Sequence, residues 1–60
     1  MILQVFKKIG DRLLIADAYA SMVAVYSGEI YPEKKAAGSI GGAINSGTII
    51  LKNGYYMRVK

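Results

Sequence analysis

The feature that most limits how this chain can fold is its longest nearly apolar run, which extends from Leu13 to Tyr26 with Asp17 as its single charged residue. A helix needs roughly 20 apolar residues to cross a bilayer, and this run is shorter. The amino terminus also lacks the ordered basic, apolar and small-residue zones of a secretory signal. We therefore expect a soluble, intracellular protein without a membrane segment.

Local signals suggest that this run is divided. Asp11 can cap a helix over residues 12–19, and Ser21 can cap a second helix over residues 21–27. The alanines of residues 12–27 equally favour one uninterrupted helix, because no glycine or proline interrupts them. Strands are a third possibility, since both sides of a period-2 pattern are apolar, and periodicity alone does not decide.

Helices are also predicted on either side of the run. Apolar residues recur at helical spacing over residues 2–9, and Gly10 ends that element. Pro32 suits the first turn of another helix, which the apolar spacing extends over residues 32–44. Glycines at positions 38, 41 and 42 weaken this helix, so residues 38–47 fit either a frail helix or a loop.

The clearest local signal is Asn53-Gly54, the strongest two-residue hairpin turn, because both positions tolerate positive φ. It joins two β-branched or aromatic runs and predicts a hairpin over residues 48–59, with strands near 48–52 and 55–59. A lone hairpin is marginal in water, so we expect its apolar side chains to form a dimer interface. The candidates are Ile49, Ile50, Leu51, Tyr55, Tyr56 and Met57.

Length and composition predict one domain, residues 1–60, with a small core. The sequence has no cysteine and no histidine, so disulfides and cysteine-ligated metals cannot support the fold. Self-association, most simply as a homodimer, is then the expected support. Four scattered acids without histidine or cysteine offer no pair for acid–base catalysis or metal binding. We expect no enzymatic activity, no cofactor and no small-molecule substrate.

The charge balance favours a polyanionic partner. Eight lysines and arginines against four acids give a formal net charge of +4 and a pI near 9.6. Nucleic acid is the commonest polyanion bound by small basic domains, through neutralisation of phosphates and release of counterions.

Several segments resemble the Cro-type helix-turn-helix repressors of temperate phages. They are Phe6–Gly10 as the end of helix 1, Asp11-Arg12 opening helix 2, Ile15-Ala16 with Tyr19 as its core positions, Val25-Tyr26-Ser27, and Ile30–Ala36, which is similar to the family's "I-P-E-x-R-A" step. The resemblance implies an α+β fold: a helix-turn-helix domain of about four short helices with a carboxy-terminal β-hairpin. Ala20 stands where the family's turn usually has glycine.

The same resemblance implies a sequence-specific repressor that binds double-stranded operator DNA as a dimer, in the cytoplasm or nucleoid of a bacterial host cell. Residues 21–27 would then lie in the major groove. The candidate base contacts are Ser21, Met22, Ala24 and Tyr26, although Met22 and Tyr26 suit a core equally well. The candidate phosphate contacts are Lys7, Lys8, Arg12, Lys34 and Lys35.

Two other classes of function stay open. Residues 1–17, MILQVFKKIGDRLLIAD, are similar to the opening hairpin of the carbon-storage regulators, which would imply a small all-β homodimeric RNA-binding translational regulator. The apolar content of 53% also fits an oligomeric structural or protein-binding protein.

Overall fold

The computed structural model describes residues 2–60 and has an α+β fold, which confirms the predicted fold class. Met1, the first residue of the predicted domain, lies outside that range. In chain order the elements are α1 (Ile2–Val5), β1 (Arg12–Leu14), α2 (Ile15–Val25), α3 (Pro32–Asn45), β2 (Ile49–Lys52) and β3 (Tyr55–Arg58). The described chain thus contains three helices rather than about four.

The three strands form one antiparallel sheet in the order β1-β3-β2. In β1, Arg12 pairs with Met57 and Leu14 pairs with Tyr55, so the prediction of a helix over residues 12–19 is wrong at its start. These residues are extended because β3 offers backbone partners that the local sequence does not reveal. Asp11 does not cap a helix either, because its carboxylate accepts a hydrogen bond from the Lys8 amide at 2.9 Å.

The apolar run forms one helix, α2, and not the predicted tandem of residues 12–19 and 21–27. Ala18 and Met22 lie one turn apart on α2, and both are completely buried. A break at Ser21 would separate them, and no glycine or proline is present there to cause one. The helix ends where the Tyr26 amide donates to the carbonyls of Met22 and Val23.

The predicted helix over residues 2–9 stops after one turn, at Val5. Phe6 is completely buried, and the Arg58 guanidinium donates from Nη1 to the carbonyl oxygens of Phe6 at 3.1 Å and Lys7 at 2.9 Å. Those carbonyls would accept amide hydrogen bonds if the helix continued. Gly10, at φ +96°, then turns the chain into β1.

Helix α3 covers all of the predicted residues 32–44, and it remains helical through its three glycines to Asn45. Tyr31 precedes it in the left-handed conformation, at φ 57°. Ala36, Ile40 and Ala43 recur at helical spacing and are buried against α2 and the sheet. Their burial holds the helix together where its intrinsic propensity is weak.

The core lies between the helices and one face of the sheet. Its buried members are Phe6, Ala18, Met22, Tyr26, Ala36, Ile40, Ala43 and Ile49. Leu13 and Tyr56 project from the sheet toward this cluster. No helix packs on the other face of the sheet in the described chain, since all of the core lies on one side.

The hairpin turn has the backbone that its sequence predicts, and Gly54 is the residue that requires it. Asn53 has φ 50° and Gly54 has φ 84°, while a Cβ added at Gly54 would meet no atom within 4 Å. Gly54→Val should therefore lower the free energy of unfolding by about 1–3 kcal/mol through backbone strain alone. Urea unfolding would measure the loss. Gly28→Val is the matched control, because Gly28 is equally uncrowded and has no positive φ; an equal loss there would contradict the explanation.

Arg58 joins the carboxy-terminal strand to the amino-terminal segment through its hydrogen bonds to the carbonyls of Phe6 and Lys7. Its guanidinium also donates from Nε to the Lys60 carbonyl at 2.8 Å. Arg58→Met keeps the aliphatic stem and should cost roughly 1.5–3 kcal/mol of stability, as expected for hydrogen bonds from a charged group. Arg58→Lys should recover little, because an ammonium cannot reproduce the planar fork. Full recovery by lysine in urea unfolding would show that charge, and not the fork, is what matters.

Candidate nucleic-acid interface

The predicted base-contacting residues all lie on α2, and two of them are in the core. Met22 is completely buried, and Tyr26 is 9% exposed. Neither can reach a base edge in this structure, so these two predictions are corrected to core positions. Ala24 is exposed and Ser21 is half-buried, so both are more accessible than Met22 and Tyr26, and their contact with bases stays a prediction.

Most of the predicted phosphate-contacting residues are accessible. Lys7, Lys8, Arg12 and Lys34 are exposed, and none forms an ion pair within residues 2–60. Lys35 differs, because its ammonium pairs with the Glu29 carboxylate across the turn before α3. Lys35 is therefore partly neutralised, whereas Lys34 beside it is free to meet an anion.

Three further cations lie in the carboxy-terminal part of the chain. Arg58 and Lys60 are engaged with backbone carbonyls, the Lys60 ammonium donating to Ser46 at 3.0 Å. Lys52 is exposed at the end of β2 and has no ion-pair partner among the described residues. Lys52 was not among the contacts predicted from the sequence, although its position beside the Asn53-Gly54 turn already indicated exposure.

The pleat of the sheet divides the predicted dimer interface between two faces. Ile49 is buried in the core and Tyr56 packs against the core, so both are corrected to inward-facing positions. Ile50, Tyr55 and Met57 project from the opposite face. Leu51 shares the side of Tyr56 but is 58% exposed, because it lies near the hairpin end of β2.

The outward side of the sheet carries cations and apolar groups together. We call it the outer sheet face, and the register assigns to it Arg12, Leu14, Ile50, Lys52, Tyr55 and Met57. The Arg12 guanidinium lies over the Tyr55 ring, 5.4 Å from its centre, and Nη1 donates to the tyrosine hydroxyl at 3.3 Å. A shallow depression of about 220 Å³ adjoins this pair, lined by Arg12, Leu13, Leu14 and Tyr55.

An uncharged groove of about 300 Å³ opens where the start of α2, the second half of α3 and β3 meet. We call it the apolar groove; its lining is Ile15, Tyr19, Ala37, Ile40, Gly41, Ile44 and Tyr56. Ile15, Tyr19 and Ile44 are large apolar side chains that remain exposed on its walls. This groove could not be predicted from the sequence, because its lining comes from three elements whose relative positions depend on the tertiary fold.

Residues 2–60 contain no helix with the length and hydropathy to cross a membrane. The described residues also hold no group of three acids close enough to bind a metal ion. The chain matches no protein-family model, and neither the curated proteins nor the solved structures include a significant match to it.

Proposed function

We propose that this chain is a regulator of transcription that binds duplex DNA as a homodimer, without catalytic activity, in the cytoplasm or nucleoid of a bacterial cell. The observation that carries the proposal is the excess of exposed cations without an ion pair over exposed acids without one. Asp11 and Glu29 are engaged within the chain, whereas Asp17 and Glu33 are exposed and form no ion pair among the described residues. The exposed cations without an ion pair in the described structure are Lys7, Lys8, Arg12, Lys34 and Lys52. Unpaired surface cations are the groups that neutralise phosphates.

The helix that fits a recognition role is α3 and not residues 21–27. It follows α2 in chain order, as the second helix of a helix-turn-helix follows the first, across a connection of residues 26–31 that is longer than the usual length of about three to four residues. Its solvent stripe carries Lys34 in the first turn, Gly38 and Gly42 in the middle and Asn45 at the end. Lysine contacts phosphate or guanine, and asparagine pairs with adenine. The glycines would let the helix backbone approach the bases closely.

The apolar groove supports the dimeric part of the proposal. Two copies with the same net charge of +4 repel each other least through a surface without charge, and no charged residue lines this groove. Leu51 pairs with Tyr56 on the same side of the sheet and extends the apolar surface beyond the groove. A chain of this size with so small a core gains stability by covering such a surface.

The alternatives fit less well. An all-β RNA-binding regulator disagrees with this fold, because residues 15–25 and 32–45 are helical. Residues 2–17 also form a short helix, one strand and the start of α2, and not a hairpin. A purely structural oligomer would use the apolar groove but gives no role to the unpaired cations.

The first test concerns Lys34 and Lys35. Binding of the full chain to a duplex should weaken with added salt, and Lys34→Ala should reduce the slope of log affinity against log salt by about one unit. Lys35→Ala should change the slope less, because Glu29 already neutralises that ammonium. Fluorescence anisotropy with a labelled duplex would measure both. An unchanged slope for Lys34→Ala would remove the start of α3 from the interface. Equal reductions for the two substitutions would contradict the claim that the Glu29 ion pair weakens the contribution of Lys35.

The second test concerns self-association. Ile44→Asp places a carboxylate in the apolar groove, where Ile44 is 41% exposed and can be replaced without opening the core. The variant should remain folded by circular dichroism but become monomeric in sedimentation equilibrium, because burial of an unpaired charge is costly. Ile30→Asp is the matched control, since Ile30 is 75% exposed on the turn before α3. A dimer that survives Ile44→Asp and dissociates with Ile30→Asp would place the interface at that turn.

A further inference from the structure

The outer sheet face is an uncovered surface whose chemistry differs from that of the apolar groove. The core of the described chain lies entirely on the other side of the sheet. Leu14 and Ile50 on this face are exposed, and Tyr55 and Met57 are half-buried. At its opposite edges stand Arg12 on β1 and Lys52 on β2, and none of the three strands contributes a carboxylate.

Charge decides which occupant suits this face. A second copy stacked face to face would bring Arg12 and Lys52 against the same cations of its partner with no carboxylate to pair with them, which is unfavourable. A polyanion meets the same cations favourably. The apolar groove, which has no charge, is the better surface for a second copy.

The aromatic group on this face narrows the class of polyanion. Tyr55 lies between the two edge strands, paired with Leu14 on one side and Lys52 on the other. The Arg12 guanidinium lies over its ring at a cation–π distance and donates to its hydroxyl, so the two groups are already oriented together. An aromatic ring and an arginine plane between cations form the platform on which unpaired bases stack. A duplex keeps its base faces covered and cannot use such a platform.

We propose that the outer sheet face binds single-stranded nucleic acid, with an unpaired base stacked on the Tyr55–Arg12 platform and phosphates beside Arg12 and Lys52. The depression of about 220 Å³ next to this pair gives space for the stacked base beside Leu14. This activity goes beyond the duplex binding assigned to α3, because it uses the sheet and not a helix. It also depends on stacking of an unpaired base, which duplex binding does not require.

The test uses the full chain and a fluorescently labelled oligothymidylate of about 10 nucleotides, with an oligouridylate of the same length as the RNA arm. Tyr55→Leu should lower the affinity for the better ligand about tenfold, the scale of losing one stacked base. Tyr55→Phe should retain most of the affinity, since it keeps the ring. Tyr31→Leu is the matched control, because Tyr31 is an exposed tyrosine on the turn before α3 and lies outside the sheet.

Arg12→Met and Lys52→Met should each reduce the salt slope of oligonucleotide binding by about 0.7 unit, the value for single strands. Lys34→Met, on α3, should leave that slope unchanged. Circular dichroism would show that each variant is folded. Three results would overturn the proposal: no binding of either oligonucleotide, equal losses for Tyr55→Leu and Tyr31→Leu, or a change of oligomeric state with Tyr55→Leu at unchanged oligonucleotide affinity. The last result would mean that a second copy covers this face.

Discussion

The pairing of β1 with β3 is the contact on which the rest of this structure depends. It joins residues 43 positions apart, such as Leu13 and Tyr56, and so closes nearly the whole chain into one unit. The pairing fixes the start of α2, because the Ile15 amide donates to the Gly54 carbonyl directly after the strand ends. It also fixes the pleat, which turns Leu13 toward the core and Arg12 toward solvent. The positions of both the apolar groove and the outer sheet face follow from this register.

The second determinant is how the cations are used within the chain. Arg58 and Lys60 donate to backbone carbonyls, and Lys35 is paired with Glu29. These contacts hold segments that lack regular structure, in a protein without disulfides. The formal charge of +4 is therefore distributed unevenly: the cations left unpaired lie in the amino-terminal turn, at the start of α3 and on the outer sheet face. Net charge indicates a polyanionic partner, but only this distribution indicates where the partner would bind.

The apolar groove and the outer sheet face lie on opposite sides of the sheet. The helices cover one face of the sheet incompletely, because α3 has glycine at position 41 and alanine at position 37 where larger side chains would fill the space beside Tyr56. The groove that results is uncharged and suits a second copy. The other face is uncovered but bordered by Arg12 and Lys52, which makes self-association there unfavourable. One small sheet can thus present different chemistry on its two faces.

The sequence by itself determined those parts of the protein whose causes are local. Asn53-Gly54 set the hairpin, because its backbone needs positive φ at both residues, and Pro32 with the spacing of Ala36, Ile40 and Ala43 set α3. The tertiary structure decided what depends on distant partners. It made residues 12–14 a strand and joined the two predicted helices into α2. It also ended the first helix at Val5, because Arg58 binds the carbonyls of the two residues that follow. It also placed Met22 and Tyr26, two predicted DNA contacts, in the core. Which residues of a helix are buried depends on the side that packs against neighbouring elements. A run that is apolar on every side does not specify which side that is.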